Sequence, residues 1–435
     1  MTRLLVATAA AALLAPAAWA QEATTEASAD AAANAPAATT DAGGGACTVE
    51  GDGEVNVLSN FFATLELLAA KMEDCEREGL AVDVKLTTEH QTEGQQAFAA
   101  GSSPYDAAAV ANASITLLQA RGQLLPLNDL VDKYRDQYGI EDQMLIRFGD
   151  DIMAVAFMVN AQVLMYRRDV FEELGLEVPA TYAQLIEAAQ AMEGAEGIDY
   201  PFAAAFGNSW ELGNEWMNLF VAGGGQLFDP ATSEPTFNSP EGIEALETMG
   251  ELVPSMSPNA MSMDFGAVRQ ALQQGQAGMA ILWGDQAPTM DNPEESTQVG
   301  NIGFAPAPAM AEGGVPASLF WWDGYVIPRN LDGDPDVTFQ VIMHAVSADT
   351  VAENNDTTLW IRSNYQPNDY TTAIADTVMA GALPYPMEPQ AALAHAAIGD
   401  NISDFLAGQE SAEQSLADAE AAYRAAAVAE GLLQE

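Results

Sequence analysis

Ile152-Met153-Ala154-Val155-Ala156-Phe157-Met158-Val159-Asn160-Ala161-Gln162-Val163-Leu164-Met165-Tyr166 is a long apolar run interrupted by the amide of Asn160. Continuous apolar sequence bounded by polar residues suits a strand buried on both faces. A strand of this length can span two lobes. Upstream, Val55–Leu58 and Ala81–Leu86 read as strands around the helix Phe62–Glu78, whose apolar residues Leu65, Leu68, Ala69 and Met72 recur at helical spacing. A short helix over Gln95–Ala100, a strand over Tyr105–Val110 and a helix over Ser114–Arg121 continue the alternation. Repeated βαβ units predict a parallel α/β sheet with right-handed crossovers. Downstream, Gly175 is placed to cap the short helix read over Arg167–Leu176, and Thr181 to cap the helix Tyr182–Met192.

In open α/β sheets, ligands bind where the carboxyl ends of strands deliver the chain into loops. That rule selects Ser59, Asn60 and Phe61 after the first strand and Asn112 after the third. Serine and asparagine also serve turns for purely local reasons.

With 435 residues, 49% of them hydrophobic, the chain exceeds one ordinary core and should form about two domains. Sixty-three acids against 14 basic residues give a net charge of −49. Such a surface repels nucleic acid and anionic lipid. The acids are scattered rather than blocked, which suits a solubility role. Residues 1–20 combine Arg3, an apolar core and Ala18-Trp19-Ala20, the pattern of a signal peptide cut before Gln21. The Ala- and Thr-rich residues 21–46 lack periodicity and read as a disordered linker. Cys47 and Cys75 pair as one disulfide in an oxidising compartment or remain two buried thiols. The first is favoured if the helix after the first strand runs back beside it, returning Cys75 to the level of Cys47.

His90, His344 and His395 have no metal-ligand spacing, so no metal and no cofactor is expected. The glycine triplet Gly223–Gly225 lacks the lysine and spacing of a phosphate loop. More informative are three places where an indole is joined to an acid: Trp210-Glu211, Trp283-Gly284-Asp285 and Trp321-Trp322-Asp323. A sugar presents apolar C–H faces and hydroxyl edges, which aromatic stacking and charge-assisted hydrogen bonds match. Alternation along a strand would let only one of Trp321 and Trp322 face such a guest, and Trp322 is the preferred one. Trp216, at helical spacing to Phe220, reads as core.

Several segments in order carry a resemblance: Asn160, Tyr166-Arg167-Arg168-Asp169, Glu172-Glu173-Leu174-Gly175-Leu176, Pro179 and Thr181-Tyr182. Ala222-Gly223-Gly224-Gly225-Gln226-Leu227-Phe228-Asp229, Phe237-Asn238-Ser239-Pro240-Glu241-Gly242, Gln274–Ile281 and Leu406–Glu413 extend it from about residue 50 to the C-terminus. The chain resembles the extracellular solute-binding proteins, family 1, the maltose-binding-like receptors of ABC sugar importers. The resemblance implies a two-lobed periplasmic binding protein fold of type II, with a ligand cleft between lobes joined by hinge strands. It places the N-terminal lobe at 47–158 and 282–322 and the C-terminal lobe at 159–281 and 323–435, with Gln274–Ile281 returning the chain to the first lobe. It implies ligand contacts from Asn60, Phe61, Asn112, Asn160, Trp210, Trp283, Asp285, Trp321, Trp322, Asp323 and Arg362, and no catalytic residue. The expected partners are a carbohydrate and an inner-membrane permease, for a monomeric periplasmic protein that binds no nucleic acid. Two rivals use the same residues: an aromatic cage for a cationic osmolyte or polyamine, and a secreted glycoside hydrolase.

Overall fold

Residues 47–434, apart from Pro230, are described by a computed structural model. The signal peptide and linker read over residues 1–46 lie outside them. β1 (Gly53–Ser59) and β2 (Leu80–Leu86) flank the helix Ala63–Glu73, and β3 (Ala107–Ala111) follows the helix His90–Ala99. β1 pairs in parallel with both β2 and β3. The first helix buries Leu65, Leu68, Ala69 and Met72, the stripe read from its spacing. Further on, Gly175 ends a helix at φ 65°, a backbone conformation that favours glycine, and the Thr181 hydroxyl accepts the N–H of Gln184.

The apolar run over 152–166 is two strands. β4 (Leu145–Phe148) and β5 (Asp151–Asn160) pair antiparallel, while β6 (Gln162–Arg167) joins another sheet. Only Ala161 separates β5 from β6, so the chain changes lobes there. Asn160 makes the break: its Oδ1 accepts the N–H of Ala161 at 3.0 Å and of Asp285 at 3.3 Å. The remaining strands are β7 (Tyr200–Ala203), β8 (Ala277–Trp283), β9 (Ile302–Ala305), β10 (Trp321–Val326) and β11 (Leu359–Trp360). They complete a seven-stranded sheet of order β11-β5-β10-β3-β1-β2, with β4 also on β5, and a four-stranded sheet of order β7-β8-β6-β9.

This strand order divides the chain differently from the boundaries expected above. β8 does not return to the first lobe: it lies between β6 and β7 and is buried on both faces, as a central strand must be. Residues 282–320 therefore stay with the second lobe. β10 then inserts antiparallel between β3 and β5, and β11 follows on β5, so residues 321–361 build the first lobe rather than the second. The helix Asp369–Met379 packs against the second sheet, which makes a third crossing between β11 and that helix. Each sheet carries apolar residues on both faces, and the largest second-lobe cluster reaches over the boundary to include Ala111, Ala113 and Trp321.

Cys47 and Cys75 are joined as a disulfide with Cα atoms 5.1 Å apart, tying the chain before β1 to the end of the first helix. Their sequence separation of 28 corresponds to about 3–4 kcal/mol in the chain-entropy account. Reduction should lower the thermal midpoint by roughly 10 °C. An unchanged melting curve under dithiothreitol would show that the cross-link adds nothing to the fold.

Candidate ligand site between the lobes

Asn160 also sets the floor of the site, because the Asp285 N–H it holds fixes the far end of the turn Trp283-Gly284-Asp285 that follows β8. Gly284 donates its N–H to the Ala161 carbonyl at 2.9 Å. A Cβ there would lie 2.2 Å from Cγ1 of Ile374 in the helix Asp369–Met379, so this approach requires glycine. From the opposite wall comes the helix Ser209–Ala222, capped by the Asn208 side chain on the N–H of Glu211. The cap puts Trp210 in the first turn and buries Glu211, Asn214 and Glu215.

Trp321, at the start of β10, stands between these walls. Its ring centroid lies 5.7 Å from that of Trp210, 6.1 Å from Trp283 and 4.1 Å from Tyr385. Phe265 completes the circuit at 6.3 Å from Trp210 and 5.8 Å from Trp283. Trp210 keeps 38% of its surface exposed, whereas Trp321 keeps 5%, so the circuit is open on the Trp210 side. The three indole–acid pairs converge here: Trp210 with Glu211, Trp283 with Asp285, and Trp321 with Asp323.

Trp322 does not join them, contrary to its preference in the sequence. It is 0% exposed and packs inside the first lobe with Leu58, Ala108, Val110, Ala154 and Ala156. Alternation separates the two indoles as expected, but it is the second that turns into the first lobe's interior, beside Ala108 and Val110 of β3. Arg362 also lies elsewhere. Its guanidinium donates to the carbonyls of Val346, Gly139 and Tyr138, all within the first lobe. Asn112 is fully buried: its Oδ1 accepts the Trp322 N–H at 2.8 Å, and its Nδ2 reaches the carbonyls of Phe320 at 3.4 Å and Tyr385 at 3.5 Å. It clamps the crossing instead of offering its amide to a guest. Asn60 and Phe61 follow the carboxyl end of β1, with Phe61 56% exposed and its N–H held by Asn60 Oδ1.

Burial pushes the Asp323 carboxyl up to about 7, and the nearby charge of Asp285 adds to the shift. Burial likewise raises Asp285, which the Asn160 amide partly counters. Glu211 rises to about 7 through burial, although its Oε1 accepts the Phe265 N–H at 3.0 Å. Glu215 rises to about 8 for the same main cause, eased by its hydrogen bond from Gln162. Asp285 Oδ1, Glu211 Oε2, Trp321 Nε1 and both amide atoms of Asn214 are buried without a hydrogen-bond partner among the described residues.

A group whose folded pKa exceeds its unfolded value keeps its proton longer in the fold, so its contribution is full below the unfolded value and is lost as pH rises through the folded one. For Glu215 the window runs from about 4.5 to about 8. The ligand-free protein should therefore weaken from pH 5 to 8, with this group contributing on the order of a few kcal/mol. Glu215→Gln should flatten that slope and stabilise at pH 8; urea midpoints that fall equally in both proteins would exclude Glu215 as its source.

Sequence reasoning passed over Phe265 and Tyr385, and read of His395 only that it has no metal-ligand spacing. His395 is neutral at ordinary pH, since burial pushes it down to about 4. It stacks on Trp210 at 4.9 Å, with Nε2 2.6 Å from the Trp210 carbonyl oxygen and Nδ1 3.1 Å from the Tyr385 hydroxyl. It braces the Trp210 ring, and a lone histidine in sequence gives no sign of that. Among the described residues the one group with metal-ligand proximity is Cys47, Cys75 and His344, whose sulfurs are spent in the disulfide.

The model of the bacterial extracellular solute-binding protein family matches residues 57–332. A protein of Deinococcus radiodurans described as a "Probable ABC transporter-binding protein" is 29% identical over 187 residues, covering 40% of this chain and 43% of that protein. The match thus spans less than half the length of that relative. Among solved structures, an ABC transporter solute-binding protein from Agrobacterium radiobacter K84 in complex with ribitol is similar at a TM-score of 0.74 and 23% identity, covering 86% of this chain and 98% of that one. Another, from Agrobacterium vitis S4 with bound D-mannitol, is similar at 0.73 and 22% identity, covering 87% and 99%.

Proposed function

This chain belongs to the bacterial extracellular solute-binding protein family, and from that premise we propose that it is the receptor of an ABC importer that takes a sugar or sugar alcohol between its lobes. The observation that carries this reading is the convergence of Trp210, Trp283 and Trp321 with Asp285 and Asp323 at the lobe junction. Flat rings cover the C–H faces of such a guest and carboxylates accept its hydroxyl hydrogens. The ribitol and D-mannitol held by the structural neighbours are of the same chemical kind. Trp210, Trp283 and Asp285 belong to the second lobe, while β10 with Trp321 and Asp323 belongs to the first. A ligand touching both favours the closed arrangement, which is the form a permease would read. The protein works in the periplasm and turns over nothing.

Titration calorimetry with ribitol, D-mannitol and maltose tests this. Saturable binding of at least one is expected, with no reducing ends released from an oligosaccharide on prolonged incubation. Heats no different from dilution across the whole panel would sink the sugar reading, and hydrolysis would favour the glycosidase instead.

A further inference from the structure

We propose that the ligand of this cleft is an amino derivative of a sugar or sugar alcohol, a guest with both hydroxyl groups and a protonated amine. The inference rests on the sugar reading above and narrows it. Its basis is an imbalance between what the site offers and what it lacks. Asp285, Asp323 and Glu211 accompany the aromatic circuit, with Glu215 behind them. Among the described residues, Arg269 is the one cation acting on any of these carboxylates, and its Nη1 is bonded to Gln286 at 3.1 Å. Asp285 is 6% exposed, yet its Oδ1 has no donor. An ammonium has three donors and no acceptor, which suits two neighbouring carboxylates, and the faces of Trp210 and Trp283 attract a cation.

The same site argues against a plain quaternary ammonium. Trp321 Nε1 is a buried donor without a partner, in a side chain 5% exposed. A quaternary ammonium group has no acceptor to offer it and no N–H for the carboxylates. Leaving buried polar groups unpaired is costly. A hydroxyl oxygen satisfies the indole donor, and the amine satisfies the acids, so one molecule carrying both meets the whole set.

The test uses matched pairs by calorimetry at pH 7 and low salt: D-glucosamine against D-glucose, and D-glucamine against D-sorbitol, with choline as a third arm. The amine of at least one pair should bind about tenfold tighter than its neutral partner, and added salt should shrink that preference. Asp323→Asn should weaken the amine more than its neutral partner and so reduce the preference to within about twofold; Asp285→Asn serves if the first variant unfolds, with folding checked by thermal melts. Neutral members binding as tightly as the amines would overturn the inference and leave the sugar reading standing. Choline as the sole binder would overturn both; binding by no compound tested would overturn the inference and leave the sugar reading to the ribitol, D-mannitol and maltose titrations.

Discussion

Trp321→Ala is expected to lower affinity for the bound sugar or polyol by roughly thirtyfold to a thousandfold, the usual cost of removing a central aromatic anchor. Trp322→Ala, one residue along, is expected to cost the fold instead, by about 3–5 kcal/mol. The difference follows from where the two indoles sit. Trp321 contacts the rings of Trp210, Trp283 and Tyr385 between the lobes, whereas Trp322 fills the space beside Ala108 and Val110. Calorimetry on the folded fraction and urea unfolding separate the outcomes. Trp321→Leu keeps apolar bulk without a flat face and should lose nearly as much affinity as alanine. Normal binding by the Trp321 variants together with lost binding by folded Trp322→Ala would reverse the assignment.

Arg362→Met is expected to destabilise the protein by about 3–5 kcal/mol with affinity unchanged. The guanidinium is nearly buried and bridges three main-chain carbonyls, from Val346, Gly139 and Tyr138. Removing it strands those acceptors, at about 1–3 kcal/mol for each left unpaired. Lysine should not rescue, since a single ammonium lacks the planar fork that reaches all three. A stable Arg362→Met protein with weakened ligand binding would mean that the side chain reaches the cleft after all.

What could be read from sequence was whatever local chemistry determines. The stripe on Ala63–Glu73, the cap at Thr181 and the turn at Gly175 each depend on a few adjacent residues. The indole–acid pairs were visible because each pair lies within three residues. The parity of Trp321 and Trp322 was not, because the room for one of them is made by Ala108 and Val110, more than 200 residues earlier. Likewise, the carbonyls around Arg362 come from segments up to 224 residues away, so nothing beside it marks the side chain as structural. The lobe boundaries failed for a similar reason: β8 and β10 are both short apolar strands, and only their pairing partners tell them apart.

The position of β10 bears on how the chain is made as well as on what it binds. β10 occupies the middle of the seven-stranded sheet, yet about 160 residues separate it from β5 and 209 from β3. Until it arrives, β3 and β5 present open edges, and joining them requires closure of loops of that length, a slow kind of pairing. A ribosome-bound or partly exported chain ending before Trp321 would expose two apolar strand edges to other molecules. Truncation before residue 321 should therefore yield aggregates, with no independently soluble first lobe.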